Sequence, residues 1–266
     1  MSHNLQHYLQ SSLAQQYQDL ERNIGHLADP SATEALHDVR IAMRRLRSLL
    51  RPWREQGGWF AKVEHIAADL GRDTSPSRDR QVLIQELEKD GLLYQTLSRR
   101  EIMITACRMH GSDPRYALLM LAILALQERL ADGSHNGQLS PAALADFADK
   151  LVAELRKTLR KSHPDLHEVR IKIKKLRYLY QAYPDHLQPS AKLLKALKRA
   201  QAELGEWHDN LQWLITSERE LDLKGCRLYW QQEIDIRARS AEYSTRTRQQ
   251  SRLEEKPRRA AAVWQR

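Results

Sequence analysis

The sequence predicts an all-α fold made of two related halves, on three observations. Apolar residues recur every three or four positions through nearly the whole chain, which is the period of an α-helix. Glycine and proline are scarce, ten and nine in 266 residues, and fall at joints between the periodic segments. A fourteen-residue string occurs twice, LHDVRIAMRRLRSL at 36–49 and LHEVRIKIKKLRYL at 166–179, with eight identical and four conservative pairs. No alternating apolar and polar run suggests a strand.

In chain order, the periodicity predicts helices at 3–28, 33–52, 58–72, 78–89, 92–110, 114–131, 141–161, 165–183, 189–204, 207–222 and 225–250. Pro30, Pro114, Pro141 and Pro164 mark helix starts, since proline suits the first turn. The most apolar run, 116–126, is about half of the ~20 residues that a membrane span requires. Gln127, Glu128 and Arg129 follow it directly, so it reads as a buried core helix and no membrane partner is expected. Residues 132–140, DGSHNGQLS, read as a flexible linker that divides one domain, 1–252, into a first repeat over 1–131 and a second over 141–252. Residues 253–266 are basic, contain Pro257 and read as a mobile tail.

A second echo follows each copy of the repeated string. Leu70-Gly71 with Arg78-Asp79 in the first half matches Leu204-Gly205 with His208-Asp209 in the second. The spacing within the first echo is longer by four residues, which places an insertion at 72–75.

Composition narrows the partner. Lys and Arg total 43 against 34 Asp and Glu, a formal charge of +9, so the summed field favours an anion. Cys107 and Cys226 lie far apart without metal-ligand spacing, which suggests neither a disulfide framework nor a zinc site. Residues 1–10 are polar and lack the apolar core of a signal peptide, so a cytoplasmic protein is expected.

On a helical wheel His37, Arg40, Arg44, Arg47 and Arg51 fall within an arc of about 80°. Leu36, Val39, Met43, Leu46 and Leu50 fill the adjoining arc, so the cationic ridge borders the buried face. The second copy repeats this with His167, Arg170, Lys174 and Arg177 beside Leu166, Val169, Ile173, Leu176 and Tyr180, and puts Gln181 where the first has Arg51. Like charges at i,i+4 repel by a few tenths of a kcal/mol per pair, roughly. Within the predicted helices neither ridge carries carboxylates at those positions, so the natural counter-charge is an external polyanion. Arginine suits phosphate because its planar fork of donors grips two oxygens. A solvated helix face would explain one such ridge; two in the same register, each flanking the core, argue for a site.

At these residues the sequence resembles the CHAD family, the conserved histidine α-helical domain. Its signature, H-x-x-R-[IV]-x-x-[RK]-[RK]-L-R, is matched at His37 to Arg47 and again at His167 to Arg177. The likeness extends to the Leu-Gly and Arg/His-Asp echoes, to Arg115-Tyr116 opening a helix, and over about residues 5–245. The resemblance implies two four-helix bundles related by a pseudo-two-fold around a central basic pore. It also implies non-catalytic binding of inorganic polyphosphate, with association to intracellular polyphosphate granules. Carried over position by position, it makes His37, Arg40, Arg44, Arg47, Arg51, His167, Arg170, Lys174 and Arg177 ligand contacts, with Arg45 and Lys175 off the main arc. Arg78 and His208 match the later motif, and Lys195 and Arg199, on one face with Lys192, are further candidates. The basic segment 156–161 is a candidate extension of the groove.

Other chemistries fit less well. Neither His37 nor His167 has a histidine or carboxylate one turn on, as a helical zinc site would want, and no cofactor is implied. A phosphate-processing enzyme needs clustered acids to hold magnesium and none is apparent; Glu86-Leu87-Glu88-Lys89 has the wrong spacing, and no phosphate-loop motif occurs. Asp38, Glu168, Asp79 and Asp209 read as acids placed in helical first turns. Nucleic acid is the alternative polyanion, but aromatics make up 6% and Trp207, Trp213 and Trp230 read as core, leaving few platforms for base stacking. Histidines at their ordinary pKa, near 6.5, would tighten the grip below about pH 6.

Overall fold

Apolar rows become buried helix faces throughout the computed structural model, which describes residues 5–55, 58–133 and 139–244. Ten α-helices and two short 3-10 turns account for its regular structure, with no strand among the described residues. The all-α expectation holds. The chain divides into two compact units, Met1–Ser140 and Pro141–Arg266. The expected linker residues 134–138, the end of the last helix at 245–250 and the tail at 253–266 lie outside the described residues.

In the first unit α1 (Leu5–Gly25), α2 (Ala35–Leu50), α3 (Gly58–Asp73) and α6 (Pro114–Ala131) close a four-helix ring: α1 packs on α2 and α6, and α3 on α2 and α6. Leu9, Leu13, Leu36, Val39, Leu46, Phe60, Val63, Leu119, Ile123 and Leu126 are fully buried in it. Each apolar side chain of this size removed from water contributes about 1.5–3 kcal/mol, which is what aligns the four helices. A hairpin of α4 (Ser75–Lys89) and α5 (Leu93–Gly111) extends from the ring, joined by Gly91 at φ 75°, a left-handed conformation that glycine adopts without strain.

The second unit runs α7 (Pro141–Leu159), α8 (Leu166–Ala182), α9 (Ala191–Arg219) and α10 (Arg227–Ser244), each packed on its chain neighbour. Its core holds Leu155, Val169, Ile173, Leu176, Leu204 and Trp230. Asp165 and Ser190 cap α8 and α9 by accepting from His167 N and Leu193 N. Such caps are worth about 1 kcal/mol each.

Four expectations need correction. The helices predicted at 189–204 and 207–222 are one, α9, which runs straight through Gly205. A mid-helix glycine costs about 1 kcal/mol relative to alanine, and the buried row Leu197, Ala200, Leu204, Asn210 and Trp213 on both sides offsets it. Pro30 lies in a turn five residues before α2, whereas Pro76, unremarked in the sequence, occupies the first turn of α4. Helix α6 is not wholly buried: Leu118, Leu121 and Leu124 are 46%, 64% and 39% exposed. No helix among the described residues is long and apolar enough to cross a membrane. Finally, Trp213 and Trp230 are core, but Trp207 is only half-buried.

Candidate functional site

Helix α2 buries Leu36, Val39, Met43, Leu46 and Leu50 completely, as its pattern predicts, and this fixes where its cationic row lies. The row borders α3 and the start of α4. Arg40 is largely buried there: Nη1 donates to Gly71 O and Thr74 Oγ1, both at 2.7 Å, and Nη2 donates to Ser75 Oγ at 3.1 Å. Helix α3 ends at Asp73 and α4 starts at Ser75, and Arg40 fastens this joint. The hydroxyls add to it: Thr74 Oγ1 donates at 2.8 Å to Leu70 O, which also accepts from Thr74 N at 3.0 Å, and Ser75 Oγ donates to Gly71 O at 2.9 Å. Burial and the nearby charge of Arg44 pull the Arg40 guanidinium down to about 10, still cationic at neutral pH.

Arg47 near the end of α2 and Arg51, which opens the 3-10 turn Arg51–Trp53 after it, turn toward a carboxylate that the sequence pattern did not reveal. Glu64 of α3 is buried, its side chain 6% exposed, and its Oε1 accepts from Arg47 Nε at 2.9 Å and from Arg51 Nε at 3.2 Å. Burial alone would raise the Glu64 pKa, but the two guanidiniums outweigh it and hold the carboxyl below its ordinary value. Glu64 therefore supplies, from within the fold, part of the counter-charge of Arg47 and Arg51. No scan at i,i+4 along α2 could find Glu64, because it comes from another helix.

His37, Arg44 and Arg78 converge despite the insertion before Arg78. Burial lowers the His37 pKa, and the positive charges of Arg78 and Arg44 lower it further against Glu34 and Asp38. Arg78 donates to Gln81 Oε1 at 2.7 Å and lies 3.8 Å from Glu34. Arg115, which opens α6, pairs with Asp113 and Asp73 at 2.6 Å each, a clamp between α6 and the end of α3.

The second unit assembles the matching group on an unbroken helix. His208 of α9 meets His167 of α8 with ring centroids 5.5 Å apart, and its Nδ1 is buried with no hydrogen-bond partner among the described residues. Burial, then the charges of Arg170, His167 and Lys174, push the His208 pKa down to about 4. His208 thus stays neutral below pH 6 and the His37 pKa is displaced in the same direction, contrary to the ordinary-pKa expectation, since that expectation omitted burial and like charge. Arg177 lies over the Tyr178 ring at 5.8 Å.

The remaining candidates are dispersed. Arg45 and Lys175 are exposed, as their position off the arc predicts. Lys195 and Arg199 are exposed on α9, and Arg199 Nε donates to Glu203 one turn on at 2.6 Å, the pattern of a solvated face. In the 156–161 segment, Lys161 pairs at 2.8 Å with Glu168, which also holds Lys172 at 2.8 Å, so this stretch fastens the α7–α8 corner. Cys107 and Cys226 are half-buried thiols that form no disulfide among the described residues. Among the described residues no group of three or more His, Cys, Asp or Glu is placed to hold a metal ion.

The family model for the CHAD domain matches residues 11–215. The crystal structure of the CHAD domain from the plant Ricinus communis superposes with a TM-score of 0.69 at 21% identity, covering 94% of this chain and 92% of that one. No curated protein matches. With the doubled signature on α2 and α8, and a family match over most of its length, the chain belongs to the CHAD domain family.

Proposed function

We propose that the protein binds inorganic polyphosphate without transforming it, through two cationic clusters: His37, Arg44 and Arg78 in the first unit, and His167, Arg170, Lys174, Arg177 and His208 in the second. The observation that carries this is the convergence, within each unit, of the later-motif base with the signature helix. Beyond burial, every charge that displaces the His208 pKa is positive. A cluster held together against its own repulsion gains most from a ligand that brings several negative charges at once. Polyphosphate does so with no base or sugar to accommodate, and a cytoplasmic role at polyphosphate granules follows from the same affinity. Nucleic acid offers similar charge spacing but is best held with stacking platforms.

Titration with polyphosphate of several chain lengths tests this, with single- and double-stranded nucleic acid as competitors. Expected is tight binding that weakens steeply with salt, as counterion release requires. Charge reversal at Arg44, Arg170 and Lys174 together should lower the affinity by about a thousandfold, roughly tenfold per lost contact, with the circular dichroism of the helices unchanged. Arg40 is left intact because it holds the α3–α4 joint. Equal displacement by nucleic acid at equal phosphate concentration would favour the nucleic-acid function, and unchanged affinity in the folded triple variant would move the site elsewhere.

A further inference from the structure

We propose that Glu64 is a built-in counter-ion that withholds Arg47 and Arg51 from the ligand, so that these two signature-helix arginines serve the fold and the first unit grips polyanion only beyond them, toward His37. This rests on the polyphosphate function proposed above and narrows it.

Three observations carry the inference. Glu64 Oε1 takes both Arg47 Nε and Arg51 Nε at hydrogen-bond distance, so one carboxylate engages two guanidiniums. Its side chain is 6% exposed, while those of Arg47 and Arg51 are 27% and 25% exposed. A phosphate that recruited the arginines would strip a buried carboxylate of its counter-charges, and a buried unpaired charge is among the costliest defects a fold can carry.

The second unit supplies the contrasting case within the same chain. Counted from Leu204-Gly205 against Leu70-Gly71, the place of Glu64 falls to Lys198, beside the buried Leu197, and neither bears a carboxylate. The place of Arg51 falls to Gln181. The acid and its second arginine are thus both replaced in the second half, as expected if each is there for the other. Arg177, at the place of Arg47, lies against Tyr178, and among the described residues no acid pairs it in the way Glu64 pairs Arg47.

Measurements on the full chain decide it. R51Q copies Gln181 and keeps the Arg47–Glu64 bridge, so it should fold and leave the dissociation constant for polyphosphate within about twofold of wild type, under 0.5 kcal/mol at 25 °C. E64Q should tighten binding several-fold and steepen the logarithmic salt dependence by roughly one to two released ions, because two arginines become available. A threefold or greater loss of affinity in folded R51Q, or no gain in folded E64Q, overturns the inference while leaving polyphosphate binding in place. Failure of the wild-type chain itself to bind polyphosphate sinks both.

Discussion

The first unit breaks a helix that the second keeps whole. At 72–75 the first carries four residues for which the second has no equivalent, and α3 gives way to α4 around Thr74; at the matching place α9 passes through Gly205 without interruption. The signature arginine beside each responds differently. Arg40 spends its donors on Gly71, Thr74 and Ser75, whereas Arg170, facing an intact helix, joins Lys174 and His167 around His208. The two copies of one motif thus meet different surroundings, a broken helix in the first unit and an intact one in the second.

The sharpest way to break this comparison is to remove the two arginines separately. Arg40→Ala leaves a helix-end carbonyl and a buried hydroxyl without a charged donor, and should destabilise the fold by about 2–3 kcal/mol. Arg170→Ala, with no broken helix beside it, should cost less stability than Arg40→Ala while weakening polyanion binding. Urea denaturation followed by circular dichroism measures the first difference and titration the second. Equal stability losses would mean that the break does not decide the arginine's role.

A smaller effect concerns pH. His208 is held down to about 4 by burial, Arg170, His167 and Lys174. Because the folded value lies below the unfolded one near 6.5, protonation disfavours the unliganded fold, whose stability drops as pH falls from about 6.5 toward 4. A bound polyanion reverses the local field and favours the imidazolium. Binding should then tighten as pH falls from 7 toward 5, by at most about tenfold per pH unit for each proton taken up. Calorimetry in two buffers of different ionisation enthalpy counts those protons, and His208→Gln should reduce the count. His37, lowered by burial, Arg78 and Arg44, should contribute in the same direction. Proton release on binding would contradict the comparison in both units.

What was legible in the sequence was local. The rows Leu36, Val39, Met43, Leu46 and Leu50, and Val169, Ile173, Leu176 and Tyr180, are buried as their spacing predicts, because residues three and four apart share a helix face whatever surrounds it. The cationic rows followed for the same reason, and the Arg78 and His208 echoes lie beside the signature helices. Illegible were the partners that arrive from elsewhere in the fold. Glu64 lies thirteen residues beyond Arg51 on another helix, and the Thr74 and Ser75 hydroxyls meet Arg40 only because the chain turns there. The histidine shifts depend on burial and on charges gathered from two helices, which no window along one helix contains. Gly205 resembled a joint for the opposite reason: local propensity disfavours a helix there, and the packing on both sides overrides it.

That override supplies the subtlest test of the comparison. Gly205 lies mid-helix, and a methyl group added there meets nothing within 4 Å, so Gly205→Ala removes backbone freedom from the unfolded chain without crowding the folded one. It should raise stability by roughly 0.5–1 kcal/mol. Gly71, at the matching place, is two residues from the end of α3, and a methyl group there comes to 3.9 Å from Arg47 Nη1, an ordinary contact. Propensity weighs less in a last turn that already ends, so Gly71→Ala should gain about half as much or less. A loss of stability in Gly205→Ala would show that α9 needs a flexible point at this position, and the contrast between one continuous and one broken helix would no longer account for the different roles of Arg40 and Arg170.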